Sequence, residues 1–305
     1  GTYTGAWDDG APVDVDHTTI ADRWILKRLD EVIDEVTVAL DEFRFNDAAD
    51  TMYQFVWHEF CDWYIELTKE VFYSEEADEQ AKTAARATLN YVLDNILRLM
   101  HPITPYITEE IWQALPRTGD APESIMITEW PEARGVEAFD EDATQMDLVI
   151  GLISAIRGIR GETNVKPGVT IDEVLFLTDS DEAEAAIDAG RAYLSRLAKV
   201  DTSTVVSPDE AGDVQGAATS VHEGVEIRIP LAGLIDVAEE MKRVKKDLGR
   251  VEDDIAHVQG KLDNEQFVQN APADIVQGER DKLEAYLEEK AALEASIRDL
   301  EELRD

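Results

Sequence analysis

The sequence is poor in cysteine and in long apolar segments. Its 305 residues include one cysteine, Cys61, which excludes a disulfide within the chain and a metal site built from several cysteines. No apolar segment approaches the ~18 residues of a membrane-spanning helix, and the first residues lack the basic and apolar parts of a secretory signal. We therefore expect a cytoplasmic protein that does not contact a membrane.

Basic residues are scarce as well. The 28 lysines and arginines stand against 67 aspartates and glutamates, which gives a formal net charge of -39 and a pI near 4.3. The acids are spread over every segment, and 44% hydrophobic residues with six tryptophans predict packed cores. We favour adaptation to high salt, where carboxylate repulsion is screened because the Debye length is ~3 Å at 1 M. An acidic surface for a cationic partner is the alternative.

Patterns typical of catalysis are also missing. The sequence contains neither GxGxxG nor GxxxxGK[ST], the glycine-rich loops that bind phosphates. His58, His101 and His222 lie on separate predicted elements, without the spacing of metal ligands or of a catalytic triad. We therefore predict no catalytic residue and no metal ligand in this chain, and an independent hydrolase is disfavoured.

Helical periodicity is what the first 115 residues do contain, with apolar residues recurring at spacings of three and four. Four helices are predicted: one from a cap at Thr18 or Thr19 (with Asp22) to near Phe43, one after a cap at Asn46, one over about 78–100 and a short one after a cap at Thr108. The third ends at His101, because the residue before a proline is pushed out of the α region. Residues 21–135 are thus predicted to form an all-helical bundle. Residues 1–20 are interpreted as a disordered or truncated start.

An aromatic cluster lies on the second predicted helix: Trp57, Phe60, Trp63 and Tyr64. These rings could form a base-stacking platform, since stacking contributes ~1–3 kcal/mol per base. Their spacings of three and four are those of a core face, which we favour. Cys61 is interpreted as a small buried thiol.

The pattern changes from about residue 140. A helix over 142–160 is followed by the alternating strand TIDEVLFLT, a helix over 181–198 and short β-branched segments, with a hairpin predicted between Val221 and Val225. These elements predict a small α/β module at 140–233. The expected fold class is mainly α with this small α/β module.

Residues 234–305 show heptad spacing in two successive helices, which predicts an antiparallel coiled-coil hairpin projecting as an arm. The first seam comprises Met241, Val244, Leu248, Val251, Ile255, Val258 and Leu262. The second comprises Leu283, Tyr286, Lys290, Leu293, Ile297 and Leu300, with Lys290 as its polar interruption.

The first arm helix carries an unusual concentration of positive charge. Five cations, Lys242, Arg243, Lys245, Lys246 and Arg250, stand against the single acid Asp247, a net of +4 in an acidic chain. The cations could extend over the seam and pair with acids of the facing helix. Alternatively, they form a ridge that follows a phosphate backbone. The sequence leaves both interpretations open.

Several stretches resemble class I aminoacyl-tRNA synthetases of the valine, isoleucine and leucine group. They are the segment from ADRWIL (21–26) to YIELTK (64–69) and the segment LRLMHPITPYITEEIWQAL (97–115). GLISAIRGIRGETNVKPG, VEIRIPLAGLIDVAEEMKRVKKDL and above all KLDNEQFVQNAPADIVQGERDKL resemble the valyl-tRNA synthetases within that group. The resemblance implies a C-terminal fragment, which the charge suggests comes from a halophilic archaeon.

This resemblance implies that different domains of a longer polypeptide carry out different functions. The fragment would bind and orient tRNA(Val), with its arm against the outer corner of the L-shaped tRNA. The catalytic and editing domains, which use ATP and magnesium, are not in these residues. We therefore expect a monomer that binds no cofactor and is inactive alone in aminoacylation. The alternative is a structural or assembly protein whose coiled coil binds another protein and no RNA.

Candidate RNA-binding residues follow from this interpretation. On the arm they are Lys242, Arg243, Lys245, Lys246, Arg250 and Lys261, with Phe267 near the tip, where it either closes the hairpin or stacks on a base. Weaker candidates are Arg157, Arg160 and Lys166 in the RGIRGETNVK turn. Arg23, Lys27, Arg28 and Arg44 are expected near the anticodon side.

Overall fold

The computed structural model of the chain describes residues 3–4, 12–13, 15–75, 77–115, 122–212, 216–231, 233–234, 237–264 and 272–302. Most of these residues are helical, and one four-stranded sheet accompanies them. No helix in these ranges is both long enough and apolar enough to cross a membrane. The expected class, mainly α with a small sheet, is confirmed.

The first part of the chain forms the helical bundle. Its elements are β1 (Tyr3–Thr4), β2 (Pro12–Val13), a 3₁₀ turn (Val15–His17), α1 (Ile20–Asp41), α2 (Phe45–Tyr53), a π-helix (Gln54–Tyr64), α3 (Ile65–Tyr73), α4 (Glu79–Met100), α5 (Pro105–Ala114) and two further 3₁₀ turns (Ile125–Ile127 and Glu137–Phe139). Helix α1 lies at the centre, since it contacts α2, the π-helix, α3 and α4.

The start of α1 is a capping box, which confirms the predicted cap at Thr19. The Thr19 hydroxyl accepts a hydrogen bond from the Asp22 amide at 3.2 Å, and the Asp22 carboxylate accepts one from the Thr19 amide at 2.8 Å. The same buried carboxylate also accepts a hydrogen bond from the Tyr64 hydroxyl at 2.7 Å. The Asp22 carboxylate therefore both caps α1 and links it to the end of the π-helix.

Two other predicted caps are wrong. Asn46 lies inside α2, because the chain already reverses at Phe43, whose φ of 59° is left-handed, and the helix begins at Phe45. Thr108 lies inside α5, because Pro105 starts that helix with its φ fixed for the first turn. The Thr108 hydroxyl instead donates to the Thr104 carbonyl at 2.9 Å.

The middle of the second predicted helix is wound as a π-helix over 11 residues, in which each amide bonds to the carbonyl five residues earlier. This winding changes which side chains share a face. Phe55 and Phe60, five residues apart, are both buried, whereas Trp57 is 54% exposed. The core interpretation therefore holds for Phe60 and Tyr64 but is wrong for Trp57.

The α/β module consists of α6 (Asp140–Glu162), β3 (Ile171–Leu177), α7 (Asp181–Ala198), β4 (Val200–Val206), β5 (Ala217–His222) and β6 (Val225–Pro230). The strand order is β4-β3-β6-β5. Strands β3 and β4 are parallel and joined by α7, while β6 is antiparallel to both β3 and β5. His222 pairs with Val225 across Glu223 and Gly224, which both have positive φ, so the predicted hairpin is confirmed.

Helix α6 joins the module to the bundle. It packs against α1 on one side and against α7 and β5 on the other, and residues from all these elements share one hydrophobic core. A β-carbon on Gly151 would lie 1.8 Å from the His222 ring, so this glycine is what lets the end of β5 approach the helix. The indole N–H of Trp24 on α1 donates to Asp147 on α6 at 2.8 Å.

The last two helices are α8 (Val237–Leu262) and α9 (Ala273–Glu302), which pack along each other. Lys261 pairs with Glu279 and Glu252 with Lys290, so the two helices run antiparallel. Val244, Val251 and Val258 of the first predicted seam are buried, and its other members are half-buried. The side chain of Leu300, predicted for the second seam, lies outside the described residues.

Four aspartates predict how stability depends on pH: Asp22, Asp30 and Asp94 are buried, whereas Asp147 is exposed as a residue. Full or partial loss of water around the carboxylate raises the pKa of all four above the ordinary 3.8. Between the unfolded and the raised folded pKa, the folded chain binds more protons, so the free energy of unfolding falls as pH rises through that window. We therefore expect the free energy of unfolding to increase when the pH is lowered from 7 towards that window. Urea unfolding at constant KCl measures this change.

The variant Asp147→Asn isolates one contribution, because its side-chain carbonyl still accepts the Trp24 hydrogen bond. This variant should be at least as stable as the parent at pH 7, and its free energy of unfolding should increase less than the parent's when the pH is lowered. Asp253→Asn, an equal charge change at an exposed site on α8, is the matched control and should keep the parent's pH dependence. An unfolding free energy that stays constant or falls on acidification would contradict this account.

Candidate nucleic-acid interface

The basic segment, residues 242–250, lies on the surface of α8. Arg243 pairs with Asp247 on its own helix at 3.7 Å, and Arg250 reaches Glu289 on α9 at 3.8 Å. Lys242, Lys245 and Lys246 are exposed and form no ion pair within the described part of the chain. The two interpretations of the segment therefore apply to different residues: Arg250 pairs with the facing helix, whereas the three lysines face solvent.

Lys261 lies at the other end of α8 and belongs to a cross-helix cluster. Its ammonium is 3.1 Å from Glu279 on α9, and that carboxylate is also 2.9 Å from Lys282. The hydrogen bonds from Lys282 and Lys261 lower the pKa of Glu279. Lys261 thus has a role in joining the two helices. Phe267, the predicted tip residue, lies outside the described residues.

The bundle cations predicted for the anticodon side are all within ion-pair distance of carboxylates. Arg23 pairs with Asp142 at 2.8 Å and Lys27 with Asp140 at 2.7 Å, which joins α1 to α6. Arg28 pairs with Glu31 and, through two nitrogens, with Glu59 on the π-helix. Arg44 pairs with Glu42 and Asp47. These neighbouring carboxylates therefore offset most of the positive charge of the four cations.

The cations of the RGIRGETNVK turn occupy different environments. Arg160 is buried, and its guanidinium donates to the carbonyls of Val169 at 2.7 Å and Lys166 at 3.1 Å. Burial lowers its pKa. Arg157 donates to the Leu197 carbonyl and lies over the Trp63 ring at 5.3 Å. Lys166 is exposed. Arg160 therefore stabilises this turn through its hydrogen bonds.

An aromatic groove lies between the start of the π-helix and the turn from α4 to α5. It has a volume of about 320 Å³, and its lining includes Met52, Tyr53, Val56, Trp57, Met100 and Ile103. None of its lining residues is charged. The rings of Tyr53 and Trp57 are about half exposed, and Tyr106 at the start of α5 is 91% exposed. Sequence reasoning missed this groove, because its two walls are some fifty residues apart.

Titratable side chains form no metal-binding group in the described ranges, where no three His, Cys, Asp or Glu residues are suitably placed. His58 lies 3.3 Å from Asp62 and His101 lies 2.8 Å from the Thr108 hydroxyl. Cys61 is half-buried, and desolvation raises its pKa. The surfaces that remain as candidates are therefore the basic segment and the aromatic groove.

Comparison with known families relates these surfaces to a function. Residues 22–175, half of the chain, match the model of the family described as the anticodon-binding domain of tRNA ligase. The chain belongs to this family. Residues 236–301 also match the family described as the valyl tRNA synthetase tRNA binding arm. The aromatic groove lies within the first match and the basic segment within the second, so both matched regions support a tRNA-binding role.

Curated relatives show the same relationship over almost the whole chain. The valine–tRNA ligase of Geobacillus kaustophilus is 41% identical over 288 residues, which are 92% of this chain and 31% of the relative. Those of Syntrophotalea carbinolica and Geobacter sulfurreducens are 43% and 42% identical over 93% and 96% of this chain, and over 31% and 33% of their own lengths. The chain thus spans about a third of the length of these relatives. They lend no support to the archaeal, high-salt origin expected from composition.

Proposed function

We propose that this chain is the tRNA-binding C-terminal part of a valine–tRNA ligase. It binds and orients tRNA(Val) in the cytoplasm while the catalytic domain of the same polypeptide esterifies the acceptor end with valine, using ATP. The observation that carries this proposal is that the region matching the tRNA-binding arm contains the basic segment, in which three exposed lysines form no ion pair with the residues that the structure describes.

The two C-terminal helices have a geometry suited to such an arm. Helix α8 has 26 residues and therefore extends about 39 Å at ~1.5 Å per residue. Its valines at heptad spacing are buried against α9, which supports a coiled-coil hairpin with a narrow apolar seam. Ion pairs near the end of α8 and at the middle of the two helices, Lys261–Glu279 and Lys290–Glu252, hold the register of the pair. An arm of this length can follow the outer corner of a folded tRNA.

The lysines of the basic segment supply the phosphate contacts. Lys245 and Lys246 lie three and four residues after Lys242, so about one turn of α8 brings both beside it on the helix surface. Each ammonium that neutralises a phosphate releases counterions, which favours binding at low salt and contributes less as salt rises. Arg243 and Arg250 are secondary, because carboxylates lie within 4 Å of both.

The remaining cations are weaker candidates for RNA contact than the lysines of the arm. Lys166 and Arg157 are exposed and can approach RNA, whereas Arg160 holds its own turn. In the bundle, a phosphate would have to compete with carboxylates for Arg23, Lys27, Arg28 and Arg44. We therefore propose that these four contribute more to the fold than to affinity. The chain is proposed to act as a monomer within the longer polypeptide.

Replacing the three exposed lysines of the basic segment together tests the arm. The variant with Lys242, Lys245 and Lys246 changed to Ala should bind a valine tRNA transcript more weakly. Its plot of log affinity against log salt should also be shallower by about 2 to 3, because up to three phosphate contacts are lost. Filter-binding titrations of the full chain at several KCl concentrations measure both quantities.

A matched control removes the same charge elsewhere. Lys69, Lys82 and Lys282 each pair with a glutamate on their own helix, and changing all three to Ala should leave the salt slope unchanged. Equal slopes for the arm variant and the parent would overturn the arm assignment. If the parent chain binds no tRNA but captures a protein through α8 and α9, the assembly role replaces the proposed one.

The acid excess supports a further part of this proposal, adaptation to a cell with high internal salt. With a net charge of -39, repulsion between carboxylates destabilises the folded chain unless salt screens it. The melting temperature should therefore rise steeply as KCl increases from 0.1 M and level off near 1 M, where the Debye length is ~3 Å. Differential scanning calorimetry measures this curve. A melting temperature that is independent of KCl would contradict the high-salt origin.

A further inference from the structure

The α/β module has a group of cations of its own, the module cluster, which consists of Arg157, Arg160 and Lys199. Arg157 and Arg160 lie in the last two turns of α6, and Lys199 directly follows α7. The two arginines donate to the last carbonyls of α7 at 3.0 and 3.5 Å. The Lys199 ammonium donates to the carbonyl of Pro167, in the turn after α6, at 2.7 Å. Three positive charges therefore converge where the end of α7 meets that turn.

The module cluster differs from many cations of this acidic chain because its hydrogen-bond partners are uncharged. Arg191, also on α7, pairs with Asp188 at 2.6 Å. The cluster bonds to backbone carbonyls instead, and no carboxylate among the described residues lies within 4 Å of its charged nitrogens. The acids nearest in sequence, Glu162 and Asp201, are exposed and form no ion pair with it. The positive charge of the cluster is therefore not offset locally.

Capping of α7 explains only part of this charge. The C-terminal end of a helix carries about -0.5 of an elementary charge, which one nearby cation offsets. Arg160 is buried and has this role, since its hydrogen bonds hold the end of α7 and the turn after α6. Arg157 and Lys199 are exposed. Only the Nε of Arg157 donates a hydrogen bond within the described residues, so its two terminal nitrogens remain available to an anion from solvent.

The backbone at Lys199 makes a purely local role for this lysine a poor explanation. Its φ of 55° and ψ of 56° are left-handed, and the residue that best fits such a position after a helix is glycine. A lysine here is therefore better explained by its charge than by the conformation of the chain.

A phosphate backbone is the partner that fits these two exposed cations. The guanidinium offers paired N–H donors and the ammonium offers a point charge, and both groups bind phosphate oxygens. The module lies in the chain between the bundle and the helices α8 and α9, and it shares one hydrophobic core with the bundle. Lys199 itself lies in neither of the ranges that match tRNA-binding families.

We propose that Arg157 and Lys199 bind backbone phosphates of the tRNA, on a surface of the α/β module that acts in addition to the basic segment of α8. Arg160 is a positioning residue, because it holds the turn that Lys199 contacts. This proposal rests on the proposed function, since it assigns a second electrostatic contact to the same RNA partner. Contacts of this kind position an RNA and do not read its bases.

The first variant removes charge at the left-handed position. Lys199→Gly gives this position the residue that its backbone favours, so the variant should remain folded, which thermal melts check. In filter-binding titrations of the full chain with a valine tRNA transcript, its affinity should fall. Its plot of log affinity against log salt should be shallower by about 1, because one phosphate contact is lost. Lys199→Arg keeps the charge and should keep the slope of the parent.

The second variant removes the other exposed charge. Arg157→Gln keeps an amide that can donate to the end of α7, and combined with Lys199→Gly it should lower the slope by about 2. Arg191→Gln is the matched control, because it removes an equal charge from α7 at a site where Asp188 already offsets it. This control should keep the slope of the parent. Equal slopes for the parent and the double variant would overturn the module proposal, and the cluster would then serve only to cap α7.

The arm variant separates this result from a failure of the proposed function. A slope that falls when Lys242, Lys245 and Lys246 are changed to Ala, but not in the double variant of the module, would overturn the module proposal alone. A parent chain that binds no tRNA would overturn both.

Discussion

Repulsion between carboxylates is the constraint on which this structure depends. With 67 acids against 28 bases, the chain uses many of its cations to join elements that would otherwise repel each other. Arg28 ties α1 to the π-helix through Glu59, and Arg23 and Lys27 tie α1 to the first turn of α6. Where a carboxylate is buried, as at Asp22 and Asp94, a tyrosine hydroxyl or an indole N–H donates a hydrogen bond to it. These contacts make the bundle and the α/β module one packed body around α6.

The same constraint shapes how the chain can recognise an anionic partner. Cations paired with carboxylates attract phosphates only weakly, so electrostatic contact falls chiefly to the exposed lysines of α8. The region that contains these lysines is the one that matches the tRNA binding arm family.

Local patterns were readable from the sequence, and patterns that depend on packing were not. The Thr19 capping box, the hairpin after His222 and the valine seam of α8 each depend on residues close in the chain. The caps at Asn46 and Thr108 were predicted wrongly, because a left-handed Phe43 and Pro105 set where those helices begin. The basic segment was visible as net charge. The groove was not, because the π-helix and the turn after α4 meet only in the folded chain.

Hydrogen–deuterium exchange of the full chain, with and without a valine tRNA transcript, tests the central claim most directly. The account predicts that tRNA slows amide exchange along α8 around residues 242–250. This protection should persist in Lys69→Ala and should disappear when Lys242, Lys245 and Lys246 are changed to Ala. Bound tRNA that leaves this part of α8 unprotected would contradict the account.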